Sequence, residues 1–378
     1  MIYFDNAATS FPKPRETIDA VHDFITRIGG NPGRGSHPLS IDAARIIFDA
    51  RDRLTGLING KDSERMIFTQ NGTDALNCAL LGLLEEGEHV VTTGLEHNSV
   101  MRPLEFLKAT RGIDVSIVPC STAGLLDMSA LKAAVRPRTR AVIINHGSNV
   151  IGTIQPLDRI REIIGKKILI LDACQTIGNI PIDVQRDGID VCCFSCHKAL
   201  FGIQGLGAIY MREGIDPTPL RFGGTGSNSE HMEQPEALPD RYESGTPNTP
   251  GIAGLLGGLK FVERVGLGEI ARKKRAAAEK VLEGLLRIKG IRVYGEAEPG
   301  DHHLPIISMN VDGVEPSEVG YACNRAGICV RVGLHCSPLS HQTIGTFPRG
   351  AVRISPGYFT EDGDIERLLE VLRTLAPR

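Results

Sequence analysis

Near the middle of the chain the sequence reads Asp190-Val191-Cys192-Cys193-Phe194-Ser195-Cys196-His197-Lys198. The first part of this stretch has the apolar character of a buried strand, and the strand runs into a serine, a histidine and a lysine. Most lysines are solvated surface charges, but a lysine at the end of a buried strand can be desolvated. A desolvated amine is suited to Schiff-base chemistry, so Lys198 is the first candidate catalytic residue.

A carboxylate follows a second apolar strand, at Leu171-Asp172-Ala173. Taken alone, Asp172 is typical of a turn or a helix cap. Together with Lys198 it indicates pyridoxal 5'-phosphate (PLP), whose ring nitrogen is kept protonated by an acidic side chain. Gln175 lies in the same loop, at the edge of the predicted sheet where ligands bind. The sequence therefore predicts a PLP site that contains these three residues.

A PLP site also needs donors for the phosphate of the cofactor, and two segments offer them. Residues 70–74 follow a predicted strand and open a predicted helix, so free backbone N–H groups and the Thr73 hydroxyl face a common point. Ser195 and His197 add two donors at the end of another strand. For the first segment alone, a plain strand-to-helix turn capped by Asn71 or Thr73 is the alternative.

The composition is that of a globular protein with a large core. The chain has 378 residues, of which 41% are hydrophobic and 23% are charged, and its formal net charge is -3. This charge, without blocks of like charge, gives no support for nucleic-acid or membrane binding. No run reaches the ~18 apolar residues of a transmembrane helix, and the N-terminus lacks the features of a signal peptide. Nine cysteines, an odd number, indicate reduced thiols and a cytoplasmic protein.

Apolar runs alternate with helical periods in the first part of the chain, which predicts an α/β domain with a largely parallel sheet and helices on both faces. The predicted strands are 65–69, 89–92, 115–118, 141–144 and 167–171, with a helix at 74–84. Farther along, the predictions are a helix at 270–288, strands at 291–293, 306–311, 328–332 and 351–355, and a helix at 364–375. We expect a large domain at 16–257 and a smaller α+β domain built from 1–15 and 258–378.

A second group of candidate residues lies at residues 331–339. A glycine and a proline bracket Cys336, which predicts a loop. A loop cysteine beside His335 and near Arg331 has electropositive neighbours that favour the nucleophilic thiolate. Cysteines are more often buried small hydrophobes, and that is the expectation for the others in the chain.

Several residues have two interpretations. His97 follows a strand and either stacks over a planar cofactor or caps a helix. Arg353 lies within an apolar strand, where its charge needs an anion, supplied either by a protein carboxylate or by a substrate. Cys192, Cys193 and Cys196 alternate within a strand and lack a second ligand pair at zinc-finger spacing, so no metal site is expected.

Further motifs complete the pattern, and the full set is Asn71-Gly72-Thr73-Asp74-Ala75-Leu76-Asn77, Glu96-His97-Asn98, Ser148-Asn149-Val150-Ile151-Gly152-Thr153, Asp172-Ala173-Cys174-Gln175, Ser195-Cys196-His197-Lys198, Glu243-Ser244-Gly245-Thr246-Pro247-Asn248-Thr249, His335-Cys336 and Arg353. In this order they resemble the PLP-dependent class V aminotransferase superfamily, and in particular its cysteine desulfurase and selenocysteine lyase branch. The resemblance runs from Tyr3 to the closing helix and so covers essentially the whole chain.

The resemblance implies a role for each matching residue. Lys198 matches the lysine that holds the cofactor covalently, His97 the imidazole stacked on its ring, and Cys336 the cysteine that accepts sulfur. The other cofactor-binding residues implied are Gly72, Thr73, Asn149, Asp172, Gln175, Ser195, His197 and Thr246. Thr246 matches a phosphate ligand lent by the other subunit of a dimer. The substrate-binding residues implied are Asn149, Arg353 and Arg34, and Arg34 shares with His37 a loop that lines the partner's active site.

The resemblance also implies fold type I of the PLP-dependent transferases, as in aspartate aminotransferase, and a homodimer. The expected function is that of a cytoplasmic cysteine desulfurase, which converts L-cysteine to L-alanine, leaves a persulfide on Cys336 and passes the sulfur to an acceptor protein. Ser337 replaces the alanine common in the active loop of the family, and residues 342–348 resemble a less-studied branch of cysteine desulfurase-like proteins. The alternatives are a selenocysteine lyase, another class V lyase or aminotransferase, or a non-catalytic scaffold, which the intact Lys198, Asp172 and Arg353 disfavour.

Overall fold

A computed structural model describes residues 1–33, 35–227, 230–295 and 303–377. The helices are α1 (Arg15–Asp23), α2 (Pro38–Leu57), α3 (Gly72–Leu83), α4 (Asn98–Arg111), α5 (Met128–Ala134), α6 (Leu157–Ile164), α7 (Thr249–Val265), α8 (Leu267–Leu286), α9 (Pro316–Arg325), α10 (Pro338–Thr343) and α11 (Asp362–Leu375). The strands are β1 (Ile2–Tyr3), β2 (Met66–Thr69), β3 (His89–Thr93), β4 (Asp114–Val118), β5 (Thr139–Asn145), β6 (Ile168–Asp172), β7 (Val191–Ser195), β8 (Gly207–Met211), β9 (Ile291–Tyr294), β10 (Ile307–Val311), β11 (Ile328–Cys329), β12 (Arg331–Gly333) and β13 (Ala351–Ile354). A π-helical turn at Phe24–Ile28 and a 3-10 turn at Ser63–Arg65 complete the regular elements.

The main sheet has seven strands in the order β2-β8-β7-β6-β5-β3-β4. Strand β8 is antiparallel to both of its neighbours, and the other six strands share one direction. The prediction of a largely parallel sheet is therefore confirmed, and the predicted strands are present with small shifts at their ends. The carboxyl ends of six strands meet at one edge of this sheet, which is where ligands bind in such folds.

Both faces of the main sheet are buried. In β7, Cys192 and Phe194 belong to the apolar cluster on one face, and Val191 and Cys193 belong to the cluster on the other face. Residues of α2, α5, α6 and α7 complete the first cluster, whereas α3 and α4 complete the second. Burial on both faces explains the nearly continuous apolar character of these strands. It also shows that Cys192 and Cys193 are packed as small hydrophobes, as predicted.

Four of the five described strands after residue 290 form an antiparallel sheet in the order β12-β13-β10-β9, packed against α8, α9 and α11. The single strand predicted at 328–332 is wrong. The structure divides it into β11, which pairs in parallel with β1, and β12, which pairs antiparallel with β13. The cause is the N-terminal strand at residues 2–3, which adds to this part of the molecule and gives β11 a partner of its own.

Helix α7 joins the parts of the molecule that contain the two sheets. It packs against α1 and α2, and continues without a break from Thr249 to Val265. The predicted domain boundary at residue 257 lies inside this helix, and the division at that point stays a prediction. None of the helices in the described residues combines the length and the hydropathy needed to cross a bilayer.

Candidate active site

A cavity of about 130 Å³ lies at the carboxyl edge of the main sheet. Five strands end at its wall, with Asn71 just after β2, His97 just after β3, Asn145 at the end of β5, Asp172 at the end of β6 and Ser195 at the end of β7. The parallel arrangement thus brings together segments that are far apart in the sequence. The lining residues are Asn71, Gly72, Thr73, Leu76, His97, Ser99, Asn145, Gly147, Asn149, Asp172, Cys174, Gln175, Ser195, His197 and Lys198.

The residues predicted to bind phosphate offer donors without partners. Among the described residues, Ser195 Oγ and His197 Nδ1 are buried and make no hydrogen bond. Burial, with Lys198 and Lys13 nearby, lowers the pKa of His197 to about 4, so its ring is neutral and can donate from Nδ1. Such orphaned polar atoms are costly unless a ligand satisfies them. This part of the cavity therefore fits an anionic group.

The start of α3 closes the same corner of the cavity. Asn71 caps the helix, since its Oδ1 accepts from the Asp74 N–H at 3.0 Å. A Cβ atom added to Gly72 would lie 2.5 Å from Cys174 Sγ, so only glycine fits at this close approach. The first N–H groups of α3 are consequently open toward the cavity, where the helix dipole favours a negative charge.

A hydrogen-bonded chain of three side chains leads from the phosphate corner to His97. Thr73 Oγ1 and Ser99 Oγ are 2.7 Å apart, and Ser99 Oγ is 2.8 Å from His97 Nδ1. His97 Nδ1 also accepts the Ser99 N–H at 3.0 Å, which leaves Nε2 as the protonated nitrogen of the neutral ring. Desolvation lowers the pKa of His97 and keeps the ring neutral. Sequence reasoning gave Ser99 no role, and only its position beside the Glu96-His97-Asn98 motif could have indicated one.

Local contacts hold the remaining cofactor candidates in place. Asp172 Oδ1 accepts from the Cys174 N–H at 2.9 Å, and Gln175 Nε2 donates to the carbonyl of Ala7 at 3.0 Å. The turn that carries Lys198 is secured by a lysine that the sequence did not point to. Lys13 Nζ donates to the His197 carbonyl at 2.7 Å, and burial lowers the pKa of Lys13 to about 8.

The loop of Cys336 is tied to the wall of the cavity by Asn149. Asn149 Nδ2 donates to the carbonyl of His335 at 2.8 Å, and Asn149 Oδ1 accepts from Ser337 Oγ at 2.8 Å. Both polar atoms of the amide therefore hold the loop. Cys336 itself is exposed, as the glycine and proline around it predicted, and its Sγ lies 3.7 Å from Arg331 Nη2.

The expectation that His335 contributes positive charge near the thiol was wrong. His335 is 4% exposed, and its Nδ1 lies 3.1 Å from Nε2 of the buried His341. Desolvation, together with the charge of Arg353, lowers the pKa of His335 far below its ordinary range. The ring is therefore neutral, and Arg331 is the residue that places positive charge beside Cys336.

Arg353 has a protein carboxylate as its partner. It is 2% exposed, and its Nη2 donates to Asp5 Oδ1 at 2.8 Å while its Nη1 donates to the Asn149 carbonyl at 2.9 Å. Among the described residues its Nε has no partner. Of the two interpretations of this arginine, the ion pair with a protein carboxylate is thus present, and the guanidinium keeps unused N–H donors, Nε–H among them.

Two of the three candidates predicted for the partner's active site, Thr246 and His37, lie away from this cavity. Thr246 is exposed and lines a separate cavity of about 310 Å³ with Arg51 and Pro247. His37 caps α2, its Nδ1 accepting from the Ser40 N–H at 3.3 Å. Arg34 lies outside the described residues. Their predicted roles concern a second subunit and stay predictions.

The model of the family Aminotransferase class-V matches residues 2–368. The chain belongs to the class-V aminotransferase family. A probable cysteine desulfurase of Methanothermobacter thermautotrophicus is 32% identical over 390 residues, which are 99% of this chain and 94% of the relative. A probable cysteine desulfurase of Mycolicibacterium paratuberculosis is 33% identical, and this chain spans 55% of its length. The family resemblance stated from the motifs is therefore confirmed.

The solved apo structure of cysteine desulfurase from Thermococcus onnurineus NA1 superposes on this member of the family with a TM-score of 0.92 at 30% identity. The match covers 99% of this chain and 94% of the other. The predicted fold class, fold type I with a large, mostly parallel sheet and a smaller α+β part, is confirmed by this likeness together with the strand order described above.

Proposed function

We propose that this protein is a PLP-dependent cysteine desulfurase, which converts L-cysteine to L-alanine and retains the sulfur as a persulfide on Cys336. The observation that carries the proposal is that the exposed thiol of Cys336 is tied, through Asn149, to a cavity lined by both Lys198 and Asp172. The names of the relatives support the choice of reaction, since they are cysteine desulfurases with at least 30% identity.

The residues of the cavity fit PLP. The unpartnered Ser195 Oγ and His197 Nδ1, with Thr73 and the N-terminus of α3, suit the phosphate. Asp172 suits the ring nitrogen and Lys198 the aldehyde carbon. When bound, PLP would supply an electron sink for the bond between the substrate's α-carbon and its hydrogen.

The remaining polar groups are assigned to orientation and proton transfer. In this proposal Lys198 accepts the α-proton of the substrate, and Gln175 binds the ring oxygen of the cofactor. His97 stacks on the cofactor ring and presents the proton on Nε2, because Nδ1 is occupied by the Ser99 N–H. A neutral imidazole suits that position, since burial lowers the pKa of His97 and disfavours a cation there.

Sulfur transfer requires no oxidant. The thiolate of Cys336 attacks the sulfur of the bound cysteine, a bond forms between the two sulfurs, and the bond between that sulfur and the substrate's β-carbon breaks. The electron pair of the broken bond stays on carbon, which takes up a proton, so the products are alanine and a persulfide on Cys336. Arg331 Nη2, 3.7 Å from Sγ, stabilises the attacking thiolate.

Arg353, Asn149 and Arg34 bind the substrate carboxylate in this proposal. Nε of Arg353 has no partner among the described residues, and Nη1 and Nη2, which bind the Asn149 carbonyl and Asp5, each carry a second N–H. In this proposal the substrate carboxylate binds N–H groups that these two contacts leave unused. Arg34 is assigned by the family resemblance alone.

We further propose a homodimer in the cytoplasm that hands its sulfur to an acceptor protein. Large apolar side chains support the dimer, since Ile25 and Phe48 are each 63% exposed and Phe222 is 69% exposed. Thr246 and the loop of Arg34 and His37 then serve the neighbouring active site. All nine cysteines are free thiols, which is typical of a reducing compartment.

The test is the product analysis of purified holoprotein with L-cysteine. Wild type should form alanine, and the Cys336→Ala variant should lose sulfur transfer while it keeps the absorbance of bound PLP. Cys78→Ala is the matched control, because burial raises the pKa of that thiol to about 12 and makes it a poor nucleophile. Alanine formation at the wild-type rate in Cys336→Ala contradicts the persulfide mechanism. If the Cys336→Ala variant still turns over selenocysteine but no longer turns over cysteine, a selenocysteine lyase is favoured instead.

A further inference from the structure

A second groove, of about 440 Å³, lies next to the candidate active site. It shares Thr73, His97 and Ser99 with the first cavity, so the two spaces have a common wall. Among the described residues, Cys336 lines the groove and is absent from the wall of the first cavity. The thiol is therefore accessible from a space beside the first cavity.

The backbone of the cysteine loop fixes the thiol over this groove. The Asn98 N–H, at the start of α4, donates to the Cys336 carbonyl at 2.9 Å. His335 and Cys336 both have left-handed backbone conformations, with φ of 50° and 59°. Two consecutive residues of this kind are unfavourable and need support from their surroundings. Asn149 provides it by bonding to the residues on either side of Cys336.

The far wall of the groove combines one cation with an apolar surface. Phe106, Pro103 and Leu81 form the apolar part, and the Phe106 side chain is 57% exposed. Arg102, one turn before Phe106 on α4, is exposed, and no carboxylate of the described residues pairs with its guanidinium. The carboxylate nearest in sequence, Glu105, lies 4.0 Å from Lys108 instead. The groove thus offers a thiol, an apolar wall and an unpaired positive charge.

We propose that, in addition to the acceptor protein, small thiols remove sulfur from Cys336 through this groove, and that Arg102 selects those that carry a carboxylate. The inference rests on the proposed function, since it concerns the discharge of the persulfide. The apolar wall suits the carbon chain of such a molecule, and the guanidinium suits its carboxylate. Cationic thiols are disfavoured by Arg102 and by Arg331.

The chemical step is thiol exchange. The thiolate of the acceptor attacks the outer sulfur of the Cys336 persulfide, a new bond forms between these two sulfurs, and the bond to Cys336 Sγ breaks. Sγ leaves with the electron pair as a thiolate beside Arg331 Nη2. The acceptor becomes a persulfide and the enzyme returns to its starting state, so no other reactant is needed.

The test compares three small thiols that differ in charge: 3-mercaptopropionate, 2-mercaptoethanol and cysteamine. Holoprotein is loaded with cysteine, freed of excess substrate, and the loss of the Cys336 persulfide is followed with each thiol. Each rate is divided by the rate of the same thiol with a small disulfide in solution, which removes differences in intrinsic reactivity. We expect 3-mercaptopropionate to react about two- to fivefold faster than 2-mercaptoethanol, the effect of an exposed ion pair, and cysteamine to be slowest.

Substitutions on α4 test whether Arg102 causes this preference for carboxylate-bearing thiols. Arg102→Gln should abolish it and Arg102→Lys should keep part of it, whereas Lys108→Gln, a charge change on the same helix outside the groove, should leave it unchanged. The same order of rates in Arg102→Gln overturns the proposal. A slower first burst of alanine in Arg102→Gln, with unchanged discharge, also overturns it, because Arg102 then serves access of the substrate.

A second measurement separates this inference from the proposed function. Cys336 is converted to a mixed disulfide with neutral 2,2'-dipyridyl disulfide, and the thiols are compared by the thiopyridone they release, with Cys336→Ala as the blank. If cysteine gives no persulfide yet the Arg102-dependent preference is present here, the proposed function fails and the groove assignment stands. If the burst of alanine is normal and the preference is absent in both assays, the groove assignment fails alone.

Discussion

Lys274 is a buried lysine near the candidate active site, and its replacement by methionine tests the electrostatics of this region. It lies on α8, is 5% exposed, and donates from Nζ to Asn179 Oδ1 at 2.8 Å. Among the described residues no carboxylate pairs with it, and burial lowers its pKa from 10.5 to about 7. A buried charge without a counter-ion destabilises the folded state. Methionine keeps an unbranched apolar chain at this position and removes the amine.

Proton binding sets the sign and the size of the effect. Between pH 7 and about 10 the unfolded chain holds this proton and the folded protein does not, so the amine makes the wild-type unfolding free energy rise with pH. The fall in pKa from 10.5 to about 7 corresponds to ~5 kcal/mol, at ~1.4 kcal/mol for each pKa unit. The lost hydrogen bond to Asn179 offsets ~1 kcal/mol. At pH 7 the folded amine is still half protonated, so the destabilisation there is ~4 kcal/mol. After the lost hydrogen bond is subtracted, we expect Lys274→Met to be about 3 kcal/mol more stable than wild type at pH 7, and this advantage to shrink by about 2 kcal/mol at pH 9.

The assay is urea unfolding of the holoprotein at pH 7, 8 and 9 at one protein concentration. Lys280→Met on the same helix is the control, because the Lys280 side chain is 53% exposed and its loss should leave the pH dependence of wild type intact. Parallel pH profiles for wild type and Lys274→Met would refute the reasoning, since they would show that the amine is equally protonated in both states.

Three other substitutions test the site. Ser195→Ala removes a donor from the phosphate corner and should weaken PLP binding about five- to tenfold, measured by titration of the apoprotein. Asp5→Asn leaves the buried Arg353 charge without its carboxylate and should lower the unfolding free energy by ~3 kcal/mol, measured with urea. Ser337→Ala removes one bond between the cysteine loop and Asn149 and should slow the first burst of alanine about fivefold, with PLP binding unchanged.

For each of these three substitutions, a different result would contradict the expectation. Equal PLP affinity in Ser195→Ala would place the phosphate elsewhere in the cavity. Unchanged stability in Asp5→Asn would mean that solvent or another group compensates the charge of Arg353. A normal burst of alanine in Ser337→Ala would show that the position of the cysteine loop does not affect sulfur transfer. A loss of PLP together with the burst would show that the substitution acts through the cofactor site and not through the loop.

The sequence predicted the cofactor side of the site because its signals are local. Asp172, Ser195 and Lys198 each follow an apolar strand, and parallel strands bring such positions to one edge of a sheet. The alternation of strands and helices was enough to predict that sheet. No long-range contact had to be known in advance for these residues to be found.

The predictions that failed, or that stayed open, depend on contacts between distant segments. The two interpretations of Arg353 could not be separated because its partner Asp5 lies 348 positions away. The strand at 328–332 was predicted as one element because the pairing of β11 with β1 is invisible in a local pattern. His335 was expected to add positive charge, but its burial against His341 depends on how the loop folds back.

The most direct test of the account is a single turnover with limiting cysteine in the absence of any thiol acceptor. We expect one equivalent of alanine for each equivalent of cysteine added, together with a mass increase of one sulfur atom on the peptide that contains Cys336. The increase should disappear after treatment with a thiol. Alanine formed without a gain of sulfur on the protein, or a gain of sulfur on a peptide without Cys336, would contradict the central claim.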